Sequence, residues 1–579
     1  MISKFITPVE VLQHRANEEP DKKAFIYLDQ GEVEVDSLTY SELDQQARQI
    51  AAHLQAKHEP GERAFLLFPS GLDFVRAMYG CLYAGIIPIP SNPPRLNRPA
   101  DRLEAIVKDA QASFALTDTD FLKDLPLREE KIPLLKNLEW IDLTSIGYDP
   151  GLSWQEPKLN KENLAFIQYT SGSTASPKGV LITFGNLYYN RNVLFANRSV
   201  EDREKSVTLN WVPMFHDMGL ITGLFQSIYD RSQSIMMSPV AFLQRPARWL
   251  EAITKYKATA SGGPNFSFEL CMNKITLEER KSLDLSSWVI PFNSAEPIRA
   301  ETQIRFAQEF APYGFKHEAF LPCYGLAEAT LLVSAYIGEK KPITYNVERS
   351  ALEEGKIKAV DVKKTNTTQE LVSCGPPLLE IQIAIVNPKT LKRSPKDEVG
   401  EIWISGDNIT KGYWNRPEDT KKLCQAFIED TGEGPFLRTG DFGFMHGGHL
   451  YVTGRLKDMI IVRGRNYYPQ DVELTVQASH PALQKGAGAA FAIMVDDLEH
   501  LVIVQEVKRT YRNKLDVDEV SKAIRFTVAE AHGIRAHAIA FIHPYSIPKT
   551  SSGKLMRNET RAQYLDKNLK IIAEWYPPT

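Results

Sequence analysis

Between residues 39 and 130, segments with apolar residues at helical spacing alternate with short apolar runs. TYSELDQQARQIAAHLQ predicts an amphipathic helix, and Thr39 or Ser41 is placed to cap it. RAFLLFP predicts a short buried strand, and GLDFVRAMYGCLYAGIIPIP predicts a helix followed by a strand. Strands that alternate with helices in this way form parallel sheets with crossover helices. The same rhythm recurs from Asn163 to about Ala335, so we predict an α/β architecture of parallel sheets for about residues 1–340.

The pattern changes after residue 340. Residues 343–372 are polar and charged, and from 373 to 454 short alternating runs such as EIQIAIV, VGEIWISG and GHLYVTG, separated by glycines, predict antiparallel β-structure. The segment from 466 onward has helices and strands of its own and predicts a separate small α+β domain. We therefore predict an N-terminal domain over 1–456, with a β-rich subdomain at about 373–456, and a C-terminal domain over 457–579.

Composition narrows the functional classes. The chain has 579 residues, which is too many for one core, and its net charge of −4 gives no general attraction to nucleic acid. Five scattered cysteines without a CxxC pair indicate a reducing compartment with no zinc site and no disulfide framework.

No signal peptide and no long uncharged run is visible, so we expect a soluble cytoplasmic protein without integral membrane association. The nearest candidate for a membrane span, FLPCYGLAEATLLVSAYIG, contains Pro322 and Glu328 and predicts buried sheet and helix.

The stretch YTSGSTASPKGV, residues 169–180, concentrates small and hydroxylated residues before a lysine. It is not a Walker loop, because Gly172 and Gly179 are seven positions apart and Lys178 precedes the second glycine. Its glycines still allow backbone N–H groups to form an anion nest, and Lys178 adds positive charge. Hydroxyl groups that can donate to phosphate or bind Mg²⁺ come from Thr170, Ser171, Ser173 and Thr174.

This stretch resembles the phosphate loop of the adenylate-forming superfamily, which includes acyl-CoA synthetases, nonribosomal adenylation domains and luciferases. The family pattern is (S/T)SG(S/T)TG-x-PKG, and Ala175 stands here where glycine is commoner. The resemblance implies that this loop binds the phosphates of ATP, and it covers further motifs between about residues 160 and 557.

Several motifs imply nucleotide contacts through this resemblance. Ser294-Ala295-Glu296 is similar to the loop that packs on adenine, and YGLAE (324–328) is similar to the motif YGxTE. There Tyr324 would stack on adenine beside Gly325, and Ala327 lacks a hydroxyl that contacts the α-phosphate in the family. The remaining implied ligands are Glu328 with Thr174 for Mg²⁺, Asp441 for the ribose hydroxyls, and Arg455 for ribose or phosphate.

Three further residues carry implied catalytic or mechanical roles. Lys554, in PKTSSGK, would bridge the substrate carboxylate and the α-phosphate, and His216 would lie beside the carboxylate channel. Lys457 would be the hinge about which a mobile C-terminal domain rotates between half-reactions. The resemblance also implies that the β-rich subdomain is a distorted barrel.

Longer matches at 261–266, 295–315 and 464–473 are similar to fatty acyl-AMP ligases. The polar segment at about 346–372 falls where that family carries an insertion, which packs on the C-terminal domain and hinders the rotation needed to use CoA. The resemblance therefore implies that ATP activates a medium- to long-chain fatty acid to acyl-AMP and pyrophosphate. The acyl group would then pass to an acyl carrier protein.

Three alternatives stay open. An acyl-CoA synthetase would share the first half-reaction, and an amino-acid adenylation domain would need an aspartate such as Asp217 to hold the substrate ammonium. A non-catalytic binder of acyl-adenylate would be expected to lack Lys554 or Glu328. Apolar residues near 193–195, 211–221 and 266–272 could line an acyl tunnel, but core packing explains them equally well.

Overall fold

A computed structural model of the chain describes most of its residues, and every structural statement below refers to them. They are residues 5–94, 101–147, 149, 151–170, 177–195, 205–336, 342–361, 367–462, 465–495, 498–550 and 553–577. Within these ranges, no helix is both long enough and apolar enough to cross a bilayer.

The first 340 residues alternate strands and helices, as the sequence predicts. The strands are β1 (Lys23–Asp29), β2 (Val33–Thr39), β3 (Arg63–Leu66), β4 (Ile87–Pro90), β5 (Phe114–Thr117), β6 (Glu139–Asp142), β7 (Leu164–Tyr169), β8 (Gly179–Thr183), β9 (Val207–Asn210), β10 (Gln233–Met237), β11 (Ala260–Gly263), β12 (Ile290–Asn293), β13 (Leu321–Gly325) and β14 (Leu332–Ala335). The helices are α1 (Pro8–Glu18), α2 (Tyr40–Gln55), α3 (Leu72–Ala84), α4 (Asp101–Ala110), α5 (Thr119–Lys123), α6 (Leu125–Lys131), α7 (Phe184–Phe195), α8 (Asp217–Leu220), α9 (Gln226–Asp230), α10 (Pro239–Gln244), α11 (Ala247–Tyr256), α12 (Asn265–Lys274), α13 (Leu277–Arg280) and α14 (Ala300–Phe310). Thr39 caps α2, because its hydroxyl accepts from the Glu42 N–H at 3.1 Å.

Eight of these strands form one sheet in the order β14-β13-β12-β11-β9-β10-β1-β2. The six central strands run parallel, and β14 and β2 are antiparallel strands at the two edges. A second sheet, β4-β3-β5-β6, is parallel throughout, and β7 and β8 form a hairpin. The carboxyl ends of parallel strands meet at one edge, which is where α/β folds place their ligands.

The next segment is β-rich and holds β15 (Thr344–Glu348), β16 (Thr368–Val372), β17 (Gln382–Val386), β18 (Gly400–Ser405), β19 (Leu437–His446) and β20 (His449–Arg455), with helices α15 (Arg349–Glu353) and α16 (Pro417–Cys424). The expectation of a distorted barrel is wrong. Strands β17 to β20 form an open four-stranded antiparallel sheet. Strands β15 and β16 pair only with each other, apart from isolated bridges, so no described ladder joins β20 back to β17 and closes the sheet.

The last 120 residues hold strands β21 (Ile460–Val462), β22 (Arg465–Tyr467), β23 (Leu483–Val495), β24 (Leu498–Val507), β25 (Ala536–Ile542) and β26 (Ile571–Trp575), with helices α17 (Pro469–Ser479), α18 (Val517–His532) and α19 (Arg557–Leu565). The sheet β23-β24-β25-β26 has helices packed on it and two apolar clusters that draw only on residues after 459. This is the α+β architecture that the sequence predicts. The boundary at 456/457 stays a prediction.

The polar segment 346–372 is not a plain surface loop, because part of it packs on the C-terminal region. Leu352 and Leu371 share an apolar cluster with Tyr468. Gln369 donates from Nε2 to Asp471 Oδ2 at 2.9 Å, and Arg349 donates from Nη1 to the Ala531 carbonyl at 3.4 Å. We call these contacts the insertion interface.

Two carboxyl groups at the insertion interface are shielded from water: Glu353 is buried and Asp471 is half-buried. Burial raises the pKa of Glu353 to about 7, although the Arg349 and Arg465 guanidinium groups oppose the shift and Asp471 and Glu354 reinforce it. Burial also raises the pKa of Asp471 to about 6. Both groups therefore destabilise this interface when they ionise.

We expect Glu353→Gln to stabilise the protein in a pH-dependent way. The ordinary pKa of this carboxyl is about 4.5, so its favourable contribution is complete below that pH and is lost as the pH rises through about 7. The variant should melt at a higher temperature than the parent at pH 8 and at nearly the same temperature at pH 4. Glu354→Gln, with a side chain 53% exposed, is the matched control and should show no such difference. Equal melting temperatures of parent and Glu353→Gln at both pH values would contradict the burial argument.

Candidate active site

A cavity of about 940 Å³ lies at the carboxyl edge of the large sheet, between the N-terminal part and the C-terminal segment that carries Lys549, Thr550, Lys554 and Met556. It gathers most of the residues that the sequence marks as functional. The predicted residues that line it are Thr170, Lys178, His216, Ser294, Ala295, Gly325, Glu328, Asp441, Arg455, Lys457 and Lys554. Ser171, Gly172, Ser173 and Thr174 lie outside the described residues, so their predicted contacts have no structural account.

Asp441 is held by two neighbours. Tyr324 donates its hydroxyl to Asp441 Oδ2 at 2.8 Å, and Arg455 Nε lies 3.2 Å from Asp441 Oδ1. Burial raises the pKa of Asp441, and the Arg455 charge and the Tyr324 hydrogen bond oppose that shift. Each carboxylate oxygen keeps a second lone pair, so Asp441 can still accept from ribose hydroxyls. Tyr324 does not line the cavity, and its stacking on adenine stays a prediction without support from this geometry.

The irregular part of β19 that presents Asp441 is held by the buried Glu401 of β18. Its Oε2 accepts from Arg438 Nη2 at 2.9 Å, and its Oε1 accepts from the Gly440 N–H at 3.2 Å. The Asp441 N–H in turn donates to Thr439 Oγ1 at 3.0 Å. The sequence RTGD therefore forms an irregular part of β19, where the register with β18 shifts, and its shape depends on a residue of β18 that lies 37 positions upstream.

Glu328 and Lys178 are connected through one tyrosine. Tyr413 donates its hydroxyl to Glu328 Oε1 at 3.0 Å, and the Lys178 ammonium lies 5.0 Å from the centre of the Tyr413 ring. Lys178 also pairs with Asp419 Oδ2 at 2.8 Å. Burial raises the pKa of Glu328, because it disfavours the ionised carboxylate. A cation bound beside Glu328 would stabilise that ionised form.

Mg²⁺ fits this arrangement. Mg²⁺ is usually held by one or two carboxylates together with substrate phosphates and water. The described residues contain no group of three or more His, Cys, Asp or Glu that would enclose a metal by themselves. Glu328 would supply the protein ligand, and phosphate oxygens would supply most of the others.

His216 and Asp217 form a pair at the start of α8. His216 Nδ1 lies 2.5 Å from Asp217 Oδ1, which also accepts from the Met218 N–H at 2.7 Å. Burial alone would raise the pKa of Asp217, but the His216 imidazole and the Lys554 ammonium outweigh it and lower the pKa. Asp217 is thus already engaged, which argues against its use as a receptor for a substrate ammonium.

Lys554 reaches the cavity from the C-terminal region on a closed turn. The Thr550 N–H donates to the Lys554 carbonyl at 2.7 Å, and the Lys554 N–H donates to Thr550 Oγ1 at 3.0 Å. Burial lowers the pKa of the Lys554 ammonium, Asp217 and Glu296 oppose that shift, and Arg455 reinforces it. The lysine therefore carries a poorly solvated charge, which an anionic substrate would stabilise.

Gly553 explains how the lysine turn approaches the N-terminal part so closely. Its φ of +89° suits glycine, and a Cβ there would lie 2.7 Å from Phe266 Cζ. Arg557, just beyond the turn, forms a bidentate pair with Glu473, with both N···O distances 2.7 Å. The turn is thus seated on Phe266 at one side and anchored to α17 at the other.

The loop after β12 differs in part from its prediction. Ala295 lines the cavity with φ of 71°, an unfavourable conformation for a residue with a Cβ and one that often marks a functional site. Glu296 does not line the cavity, since its Oε1 accepts from the Phe266 N–H at 2.5 Å. Glu296 therefore holds the platform beneath the lysine turn, and its predicted contact with adenine finds no support here.

The cavity extends along one face of the large sheet towards its amino edge. Side chains at alternate strand positions line it: Thr208, Ala260, Ile290, Phe292, Leu321 and Cys323. Opposite this face lie α7, through Val193 and Leu194, and the helical segment that begins at Asp217. Of the apolar segments considered for a tunnel, 193–195 and 211–221 contribute to this lining, whereas none of 266–272 does.

Sequence reasoning missed Tyr413, Asp419 and Glu401, and it did not predict the contact of Phe266 with the lysine turn. Each acts on a motif residue far away in the chain, and no local pattern marks such a partner. The stretch KGYWNRPED, with an aromatic pair and acidic residues in a turn between strands, is the nearest signal for the first two.

Comparison with known proteins identifies the family of this chain. The family model described as AMP-binding enzyme matches residues 12–414, and a model described as Disco-interacting protein 2-like, AMP domain, matches residues 457–574. The medium-chain-fatty-acid acyl-carrier-protein ligase JamA of Moorena producens is 46% identical over 98% of this chain and 96% of its own. The long-chain-fatty-acid AMP ligase FadD26 of Mycobacterium tuberculosis is 34% identical over 97% of this chain and 98% of its own.

A solved structure extends the likeness to three dimensions. The fatty acyl-adenylate ligase of L. pneumophila, solved in complex with acyl adenylate and pyrophosphate, is 40% identical and covers 99% of this chain and 98% of its own, with a TM-score of 0.76. With the family model spanning more than half of the residues and relatives of this identity spanning nearly all of them, the chain belongs to the AMP-binding enzymes and, within them, to the fatty acyl-AMP ligases.

Proposed function

We propose that this protein activates a medium- to long-chain fatty acid with ATP to acyl-AMP and pyrophosphate, and then passes the acyl group to an acyl carrier protein. The observation that carries the proposal is the position of Lys554, whose charge meets Asp217 where the nucleotide side of the cavity joins its apolar branch. A carboxylate that enters with its chain along the sheet would place its head group beside this ammonium.

In the first half-reaction, a carboxylate oxygen attacks the α-phosphorus of ATP in line, and the bond to the β-phosphate oxygen breaks. Pyrophosphate takes the electron pair, so no proton needs to be removed. The protein's task is to orient the acid and to offset charge on the crowded phosphates. Lys554 would stabilise the negative charge of the attacking oxygen and of the α-phosphate. Lys178 would leave its ion pair with Asp419 and bind the β- and γ-phosphates instead.

The remaining assignments rest on the cavity lining. Asp441 and Arg455 would hold the ribose, Ser294, Ala295 and Gly325 would face the adenine, and His216 would align the carboxylate. Glu328 would hold Mg²⁺, which supplies further positive charge to the phosphates when it is bound.

The insertion interface supports a carrier protein, rather than CoA, as the acceptor of the acyl group. Acyl-CoA synthesis in this superfamily requires rotation of the C-terminal domain, which we place at 457–579 with a hinge at Lys457. Contacts of Arg349 and Gln369 with this domain would oppose that rotation and leave the acyl-adenylate for the phosphopantetheine arm of a carrier protein. A cytoplasmic location is part of the proposal, and five buried free cysteines are compatible with it.

We expect Lys554→Ala to lose about 10²–10³-fold in the rate of acyl-AMP formation, because one charged donor to the transition state is removed. Pyrophosphate release with a fatty acid measures the loss, and nucleotide binding measured by calorimetry should persist. Lys570→Ala removes an exposed lysine of the same domain and should leave both unchanged. Near-normal pyrophosphate release by Lys554→Ala would exclude the assigned role.

The insertion interface gives a second test, on the acceptor. The double variant Arg349→Ala/Gln369→Ala should acquire acyl-CoA synthesis, because it removes polar contacts that hold the C-terminal domain and keeps the apolar cluster intact. Mass spectrometry of products with CoA, or with a carrier protein bearing phosphopantetheine, is the measurement.

The control is Ser350→Ala, which alters an exposed neighbour whose hydroxyl bonds only within the insertion, to Glu348 at 2.8 Å. It should still transfer only to the carrier protein. A folded double variant that also ignores CoA would contradict the proposed role of the insertion. Acyl-CoA as the main product of the parent would instead make the protein an acyl-CoA synthetase.

A further inference from the structure

The apolar branch of the cavity has two unlike walls, which we call the sheet wall and the helix wall. The sheet wall consists of rows of side chains across neighbouring strands. Thr208, Ala260 and Ile290 lie side by side at the amino edge, and Phe292 pairs with Leu321 one row above them. This wall is mostly apolar, as expected for a surface that contacts an alkyl chain.

The helix wall is a single line of side chains on the connection between β9 and β10. Met218, Thr222, Gln226 and Asp230 all line the cavity at intervals of four residues. In an α-helix each such interval turns the side chain about 40° out of line. Here a π-helical turn, Ile221–Phe225, lies within the segment and opposes that drift, so the four side chains keep facing the branch.

The polarity of the helix wall rises with distance from the reaction centre. Met218 adjoins Asp217, and Asp230 lies at the other end, because a crossover helix runs antiparallel to the strands that it connects. Gln226 donates from Nε2 to Asp230 Oδ2 at 3.0 Å. These two side chains are 8% and 4% exposed, and Thr208 on the sheet wall is polar as well. The branch therefore begins apolar and ends polar.

We propose that Gln226, held against Asp230, sets the upper limit of acyl-chain length and restricts this protein to medium-chain acids. This inference rests on the proposed function, because it concerns the substrate of the same site. A chain that passes Gln226 must strip water from a buried amide and carboxyl pair and offer no hydrogen bond in return. Each methylene added before that point raises the affinity of the protein for the acid, and each methylene added beyond it lowers that affinity.

The position of Gln226 along the helical segment predicts the number of acyl carbons at which this limit is reached. Gln226 lies eight positions after Met218, which corresponds to at most about 12 Å along the helical segment. An extended alkyl chain, with carbon–carbon bonds of about 1.5 Å, advances about 1.25 Å per carbon. The limit therefore falls at about ten carbons.

The test is a chain-length profile of adenylate formation. Pyrophosphate release would be measured with even-numbered saturated acids from hexanoic to hexadecanoic acid, for the parent, Gln226→Leu and Gln226→Ala. The parent should gain up to about fourfold in kcat/KM per methylene as far as about ten carbons and then decline. Both variants should raise the ratio of kcat/KM for tetradecanoic over octanoic acid by about tenfold or more, with octanoic acid little affected.

Gln303→Ala is the matched control. Gln303 is also a buried glutamine, at 1% exposure, but it lies on α14 and does not line the cavity. A general loss of stability lowers every acid alike, so this variant should keep the parental ratio.

Two outcomes would overturn the inference: a parent that uses tetradecanoic acid as well as octanoic acid, or Gln226 variants that keep the parental ratio. Failure of the parent to adenylate any fatty acid would overturn the proposed function itself, and this inference with it.

Discussion

The burial of one ammonium group, that of Lys554, is the constraint on which the rest of the site depends. A lysine loses hydration when it enters a cavity, and the cost is recovered only where anionic groups surround it. Asp217 and Glu296 provide that charge before any substrate binds. Asp217 and the Phe266 platform must both be in place for the lysine to arrive, so the geometry of the cavity and the contact between the two parts of the chain form together.

The contacts that position Lys554 are strong and involve residues close to it in the chain. At the insertion interface, by contrast, stabilising and destabilising contacts partly offset each other. Arg557 pairs with the buried Glu473 through two short bonds, which fixes the lysine turn to α17. At the insertion interface, hydrogen bonds and apolar contacts are opposed by buried carboxyl groups with raised pKa values. The Arg557–Glu473 pair keeps the lysine turn rigid. The carboxyl groups make the stability of the insertion interface, and with it the attachment of the C-terminal part, depend on pH.

The sequence predicts the architecture well because the spacing of apolar residues within a short segment is enough to distinguish a helix from a strand. Alternating strands and helices up to residue 340, antiparallel strands after 373 and the last α+β sheet are all confirmed. FLPCYGLAEATLLVSAYIG is different, because its Ala- and Leu-rich composition favours a helix, whereas the chain forms two antiparallel strands joined by a 3-10 turn. The reason is tertiary: at Gly325 a Cβ would lie 1.8 Å from the Leu331 carbonyl oxygen, so only glycine allows the chain to fold back so closely.

The site shows the same division. Motifs predict Lys554, Asp441 and Glu328 as site residues, since each has a recognisable local pattern, and the cavity gathers all three. They do not reveal which way a side chain turns, and so Tyr324 binds Asp441 and Glu296 binds a backbone amide. Nor do they reveal partners that only folding brings near, such as Asp419 for Lys178.

The two walls of the acyl branch differ in how freely they can change. Side chains of the sheet wall alternate with residues packed in the core on the other face, so a substitution there strains the sheet that carries the nucleotide site. The helix wall is a single line on one connection, and its four members are not among the residues proposed to bind the nucleotide or to carry the lysine. Substrate range and catalytic power are thus assigned to separate pieces of the chain, and relatives with this fold can diversify in the acids they accept while the chemistry stays constant.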